Sequence, residues 1–124
     1  MKENKRGDAV SQKKLTVKET FEQLPEWFVP SNVPDGWNKI IQYNITGPGG
    51  GKWYLIIKDK KLTVKEGEAE KYDVYVELDA DTHVGIFEGT VNPLLAMRHK
   101  KMIAKGAMGD IMVVGRLFKP PKKA

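Results

Sequence analysis

Glu88 to Val114 reads EGTVNPLLAMRHKKMIAKGAMGDIMVV, and the order of signals in it decides the fold. Asn92 is a strong N-cap, and Pro93 suits the first helical position, where its missing N–H has no intrahelical partner to lose. Leu94 to His99 is therefore expected to be a short helix. Lys101 to Ala107 reads as a strand. Met108 to Phe118 then reads as a closing helix, with Met108, Ile111, Met112 and Gly115 along one side. Helix, strand and helix follow one another with almost no slack.

Upstream the pattern changes to strands. Ile41, Tyr43 and Ile45 alternate with Gln42 and Asn44. Trp53, Leu55 and Ile57 alternate with Tyr54 and Ile56, so this strand is expected to be covered on both faces. Leu62 and Val64 follow a turn at Asp59-Lys60-Lys61. Val74, Val76 and Leu78 follow a second turn, at Gly67 to Lys71. Connections this short favour hairpins and predict an antiparallel meander. Asp81 is placed to cap a short helix carrying Val84, Ile86 and Phe87.

Before the strands, Thr16 to Phe28 reads as a helix. Thr16 and Glu19 have capping-box spacing, and Val17, Phe21, Leu24 and Phe28 make one apolar stripe. Pro25 removes a hydrogen bond and crowds the carbonyl of Phe21, so a kink or an end is expected there. Strands followed by helices indicate α+β: a five-stranded, mainly antiparallel sheet covered on one face by helices.

A chain of 124 residues suits one domain, which buries roughly two thirds of its unfolded surface. The expected division is a basic tail at 1–14, a domain at 15–118 and a basic tail at 119–124. At 40% hydrophobic and 30% charged the composition is that of a soluble globular domain. There is no cysteine, so disulfide and thiolate chemistry are excluded. No apolar run could span a bilayer. The charged start has no hydrophobic stretch behind it, which argues against a secretory signal, and the final Lys-Lys-Ala is not a peroxisomal signal. A cytoplasmic location is expected. The net charge of +5 gathers at the ends, in Lys2, Lys5, Arg6, Lys13, Lys14, Lys119, Lys122 and Lys123. Solvated tails explain it best; transient contact with an anionic membrane surface is the partner reading.

The signatures of catalysis fail one by one. Gly47 to Lys52 has the glycines of a phosphate loop, but Trp53 stands where a Ser or Thr would hold magnesium, and a strand follows instead of a helix. It reads as a hairpin loop, with a lip beside a ligand entrance as the second reading. Asp79, Asp81 and His83 lie two apart. They lack the Gly and Glu of a calcium loop and the further His or Cys of a zinc site, so capping and solvation explain them. No Gly-x-Ser-x-Gly elbow exists, and His99 sits among cations. No catalytic residue, metal or cofactor is expected. Tyr75 among lysines could stack bases, but Asp73 and Glu77 share its face, which disfavours single-stranded nucleic acid.

With Gly89, Asn92-Pro93, Lys105-Gly106 and Met108-Gly109 in an ungapped register, the chain resembles the sterol carrier protein 2 family of lipid-binding domains. The resemblance is strongest from about residue 85 onward. Relatives often carry aromatic residues and Gln-Gly-Lys after the Asn-Pro helix. This chain has Met97, Arg98, His99, Lys100 and Lys101 there, and Asp110 where an apolar residue is common. The resemblance implies a non-catalytic carrier holding an apolar ligand (fatty acid, fatty acyl-CoA, sterol or isoprenoid lipid) in a tunnel beneath the sheet. The alternative is an accessory domain beside a lipid-metabolising enzyme. Flexible methionines suit a lining that adapts to its guest. The lining is expected from Phe21, Leu24 and Phe28 of the first helix and from Ile41, Tyr43 and Val76 of the sheet. Phe87, Leu95, Met102, Met108 and Met112 are expected to complete it.

Overall fold

Thr16 starts the first helix with the expected reciprocal cap. The Glu19 N–H donates to Thr16 Oγ1 at 3.1 Å, and the Thr16 N–H donates to Glu19 Oε1 at 2.9 Å. The structure, a computed structural model, describes residues 15–119, so the expected tails at 1–14 and beyond Lys119 lie outside the described residues. Helix α1 spans Val17–Trp27 and buries Val17, Thr20, Phe21, Leu24 and Trp27. It runs through Pro25 rather than ending there. Pro25 is exposed and two residues from the terminus, so only the final turn loses a bond.

After a single 3₁₀ turn (Pro30–Asn32) come strands β1 (Lys39–Thr46), β2 (Gly51–Lys58), β3 (Lys61–Glu66) and β4 (Val74–Asp79). Helices α2 (Ala80–Glu88) and α3 (Pro93–Arg98), strand β5 (Met102–Lys105) and helix α4 (Met108–Val114) complete the fold. The sheet order is β3-β2-β1-β4-β5. Asp59 and Lys60 both take positive φ, the twist a two-residue hairpin turn requires, and join β2 to β3.

The expected meander breaks after β3. Strand β4 pairs with β1, and does so in parallel, with Ile41 beside Val74 and Ile45 beside Leu78. The other three pairings are antiparallel, so the sheet is mixed but mainly antiparallel. Residues 67–73 must therefore travel from the β3 edge back past β2. Seven extended residues reach ~23 Å, enough for that span. Gln42 pins the strap. Its side chain points away from the helical layer and is buried, donating from Nε2 to Gly67 O at 3.2 Å and accepting from Ala69 N at 2.8 Å. At the far end the Asp73 N–H donates to Ile40 O, and Asp73 Oδ2 accepts from Ile40 N.

The other sheet face is apolar and carries the helices. Ile41, Tyr43 and Ile45 of β1, Trp53, Leu55 and Ile57 of β2, and Val74, Val76 and Leu78 of β4 are all buried there. Helix α1 lies against β3 and α2, and α2 against β4 and β1. The cap of α2 is Asp79, not Asp81: Asp79 accepts from the Thr82 N–H and hydroxyl. Strand β4 runs directly into the helix, so its last residue is the cap and Asp81 falls in the first turn. Asn92 caps α3 as expected, accepting from Leu94 N at 2.8 Å. Strand β5 ends at Lys105. Gly106 follows at φ 137, where a Cβ would come within 2.7 Å of Asp73 O, so only glycine lets β5 leave this close to β4.

The closing helix is shorter than its apolar pattern suggests. It stops at Val114, and residues 116–119 turn back along the end of α1. The Val29 N–H donates to Leu117 O, the Lys119 N–H to Trp27 O, and Asn32 Nδ2 to Arg116 O, each at 2.8 Å. That pairing buries Leu117 completely and sets Phe118 opposite Phe28.

Candidate functional site

Aromatic rings form a continuous row between the sheet and the helices. Phe21 of α1 stacks on Trp53 of β2 with centroids 4.9 Å apart and on His83 of α2 at 5.0 Å, while Tyr43 meets its edge. His83 passes the row to Phe87 at 4.9 Å. Phe87 contacts Trp27 at 5.4 Å and Phe118 at 6.4 Å, and Phe118 contacts Phe28 at 6.0 Å. The row begins at fully buried Phe21 and ends at Phe87, Phe118 and Phe28, which are half-buried.

His83 is the polar member of this row. Burial holds its imidazole well below the usual histidine range, at about 4, so it is neutral at pH 7. Its Nε2 lies 2.7 Å from Thr20 Oγ1, and that hydroxyl lies 2.6 Å from Val17 O. The single hydroxyl proton of Thr20 goes to the carbonyl, so Nε2 carries the imidazole proton and donates. Solvation, expected for His83 from its neighbours, does not apply. Asp81 is exposed, Asp79 is occupied as a cap, and no group of metal-ligating side chains forms among the described residues. Burial likewise pushes the Tyr43 phenol up, so it is neutral.

Among the expected lining residues, Phe21, Leu24, Ile41, Val76 and Tyr43 are buried in the core, and Phe28, Phe87 and Met102 are half-buried at its margin. Leu95, Met108 and Met112 are instead 47%, 67% and 54% exposed. Between the layers Phe21 packs against the rings of Tyr43, Trp53 and His83. A cavity of about 330 Å³ opens elsewhere, where the start of α1 meets α2 and the β1–β2 loop. Leu15, Val17, Ala80 and Val84 supply its apolar wall, Thr16, Asp81, Glu88 and Thr90 its polar one, and Pro48 and Gly49 its lip. None of the expected lining residues borders it.

Helix α4 is the loosest part of this layer. Met108, Ile111, Met112, Val113 and Val114 are apolar, yet none of its residues is buried. Ile111, Val113 and Val114 rest on the core while the methionines face out. Its tether is polar: the Trp37 indole N–H donates to Asp110 Oδ1 at 2.9 Å, and Lys39 Nζ lies 3.4 Å from Asp110 Oδ2. The acidic departure at Asp110 thus has a structural partner. The sequence reading missed Trp53, Trp27, His83 and Phe118 as members of the row. Trp53 shared the alternation of Leu55 and Ile57 and could have been found by it; His83 and Phe118 gave no local sign.

Comparison with known proteins places this geometry. The model of the SCP-2 sterol transfer family matches residues 31–119. Hydroxysteroid dehydrogenase-like protein 2 of Xenopus tropicalis is 30% identical over 105 residues, covering 84% of this chain and 25% of that protein. Its Xenopus laevis counterpart is 31% identical over 102 residues, covering 82% and 24%. The chain thus spans about a quarter of the length of these relatives. The solution structure of palmitated SCP2L2 from Aedes aegypti shares the fold, with a TM-score of 0.66 and 20% identity over 82% of this chain and 93% of that one. The sec-alkylsulfatase Pisa1 from Pseudomonas carries the fold in 17% of its length, with a TM-score of 0.70, 18% identity and 86% of this chain covered. The match across most of the chain and the shared five-stranded architecture give one conclusion: the chain belongs to the SCP-2 sterol transfer family.

Proposed function

We propose that this domain binds and carries an apolar lipid, without catalysing a reaction, in the layer between the sheet and the helices. The observation that carries the reading is the row of rings from buried Phe21 to half-buried Phe28, beside a helix whose apolar residues are not buried. A guest enters by displacing α4 and the outer rings. Holding ~300 Å³ open and empty would cost ~7 kcal/mol, comparable with the whole stability of a small domain, so side chains fill the layer. Each methylene that leaves water gains ~0.8 kcal/mol, so affinity grows with chain length against the costs of opening the layer and of association. The palmitated neighbour favours a fatty acyl guest among the fatty acid, acyl-CoA, sterol and isoprenoid candidates. A headgroup buried without partners would cost ~1–3 kcal/mol, so it stays at the mouth.

The second reading is an accessory domain serving an enzyme. The dehydrogenase-like relatives, more than three times as long as this chain, favour it. Native mass spectrometry of the purified chain followed by extraction separates the two. Stoichiometric acyl or isoprenoid lipid supports a carrier. A ligand-free chain that takes up neither fatty acid nor acyl-CoA leaves only the accessory role.

A further inference from the structure

Between Glu88 and Asp110 the chain holds no carboxylate, but it holds Arg98, Lys100, Lys101 and Lys105. The same stretch contains four of the six exposed large hydrophobics among the described residues, Leu94, Leu95, Ile103 and Met108. Leu94 is 76% exposed in the first turn of α3, and Leu95 beside it is 47% exposed. Helix α3 buries only Ala96 and leans on the edge strand β5. It therefore projects two leucines from the sheet's edge, with Arg98, Lys100 and Lys101 at its other end. These three cations are exposed, and none is in a salt bridge among the described residues; the Lys101 charge helps to hold the Asp79 carboxyl low.

The turn after α3 sharpens the point. The Lys101 N–H donates to Ala96 O at 2.8 Å and the Lys100 N–H to Met97 O at 3.1 Å, the pair of hydrogen bonds of a glycine-type helix stop. Lys100 takes the left-handed position at φ 61, where glycine is favoured. A cation stands at a strained site, beside exposed leucines, in a stretch free of negative charge.

We propose that the corner formed by α3 and the start of β5 is a docking surface for an anionic lipid bilayer. Leu94 and Leu95 enter the interface while Arg98, Lys100 and Lys101 lie at the headgroups. The surface is distinct from the ring row, so it does not depend on lipid carriage. Apolar insertion and charge attraction add, each lysine near an anionic surface being worth about a fivefold gain in binding.

The test is co-sedimentation of the full chain with vesicles of phosphatidylcholine, with and without phosphatidylserine. The expected result is binding to the anionic vesicles alone, weakened by salt. Leu94→Ser with Leu95→Ser, and separately Lys100→Gln with Lys101→Gln, are each expected to lose about tenfold or more. All four side chains are exposed, so circular dichroism should stay unchanged, and fatty-acid uptake in solution reports separately on the carrier reading. Equal binding by wild type and both double variants would assign any attraction to the terminal lysines and overturn the proposal. So would equal binding to both vesicle types. A dimer in solution that Leu94→Ser with Leu95→Ser dissolves would give the corner to a second copy, and overturn it too.

Discussion

His83 concentrates the residue-scale physics. Its folded value of about 4 lies below the unfolded 6.5. The unfolded chain therefore binds a proton that the folded chain refuses, and stability falls as pH drops from 6.5 towards 4. Between pH 7 and pH 5 this contributes a loss of about 2 kcal/mol. His83→Phe keeps the ring stack and leaves the Thr20 hydroxyl on Val17 O, so its urea midpoint should change much less over that interval. Parallel losses in the two proteins would show that His83 is not the cause. Asp79, its carboxyl held low by the Thr82 hydroxyl, adds acid sensitivity at still lower pH in both. Lys100→Gly should raise stability by ~1 kcal/mol, by relieving the left-handed lysine; an unchanged or lower thermal midpoint would contradict that account of the turn.

Elements with local signals were legible in the sequence. The box at Thr16 and Glu19, the Asn92-Pro93 start and the alternation of β1, β2 and β4 are all properties of neighbouring residues. The helix cap moved from Asp81 to Asp79 because nothing local marks where a strand runs straight into a helix. Helix α4 lost its last turn because residues 116–119 bond to the end of α1, a contact between opposite ends of the domain. The same distance effect hid the site. Leu95, Met108 and Met112 belong to apolar patterns that face solvent, while the rings come together only when α1, β2, α2 and the C-terminal segment pack. Asp110 makes the α4 tether testable. Asp110→Ala removes the bond to Trp37 and the pairing with Lys39 at a half-buried position. The account predicts faster release of a bound fluorescent fatty acid in stopped-flow, with a stability loss of no more than about 1 kcal/mol. Unchanged release would mean that α4 is not the moving wall.

For the whole molecule, the strap that returns the chain from β3 to β4 is held by Gln42 at one end and Asp73 at the other. Pairing between strands is not written in alternation, so the parallel β1–β4 neighbours and the strap across the outer face were invisible. The one available sign was Gln42, an amide flanked by Ile41 and Tyr43. Gln42→Leu leaves Ala69 N and Gly67 O without their partner, and should cost about 3 kcal/mol by urea denaturation. A loss below about 1 kcal/mol would show that the strap holds itself. In the proposed readings the basic α3 corner reaches lipid and the ring row holds it.

The carrier reading stands or falls on uptake by the ring row. Fluorescence titration of the delipidated chain with a pyrene-labelled fatty acid measures it, comparing wild type with Phe118→Asp at the half-buried end of the row. The account predicts saturable one-to-one binding by wild type and at least tenfold weaker binding by the folded variant. Absence of saturable binding by wild type, or equal binding by both proteins, would contradict it.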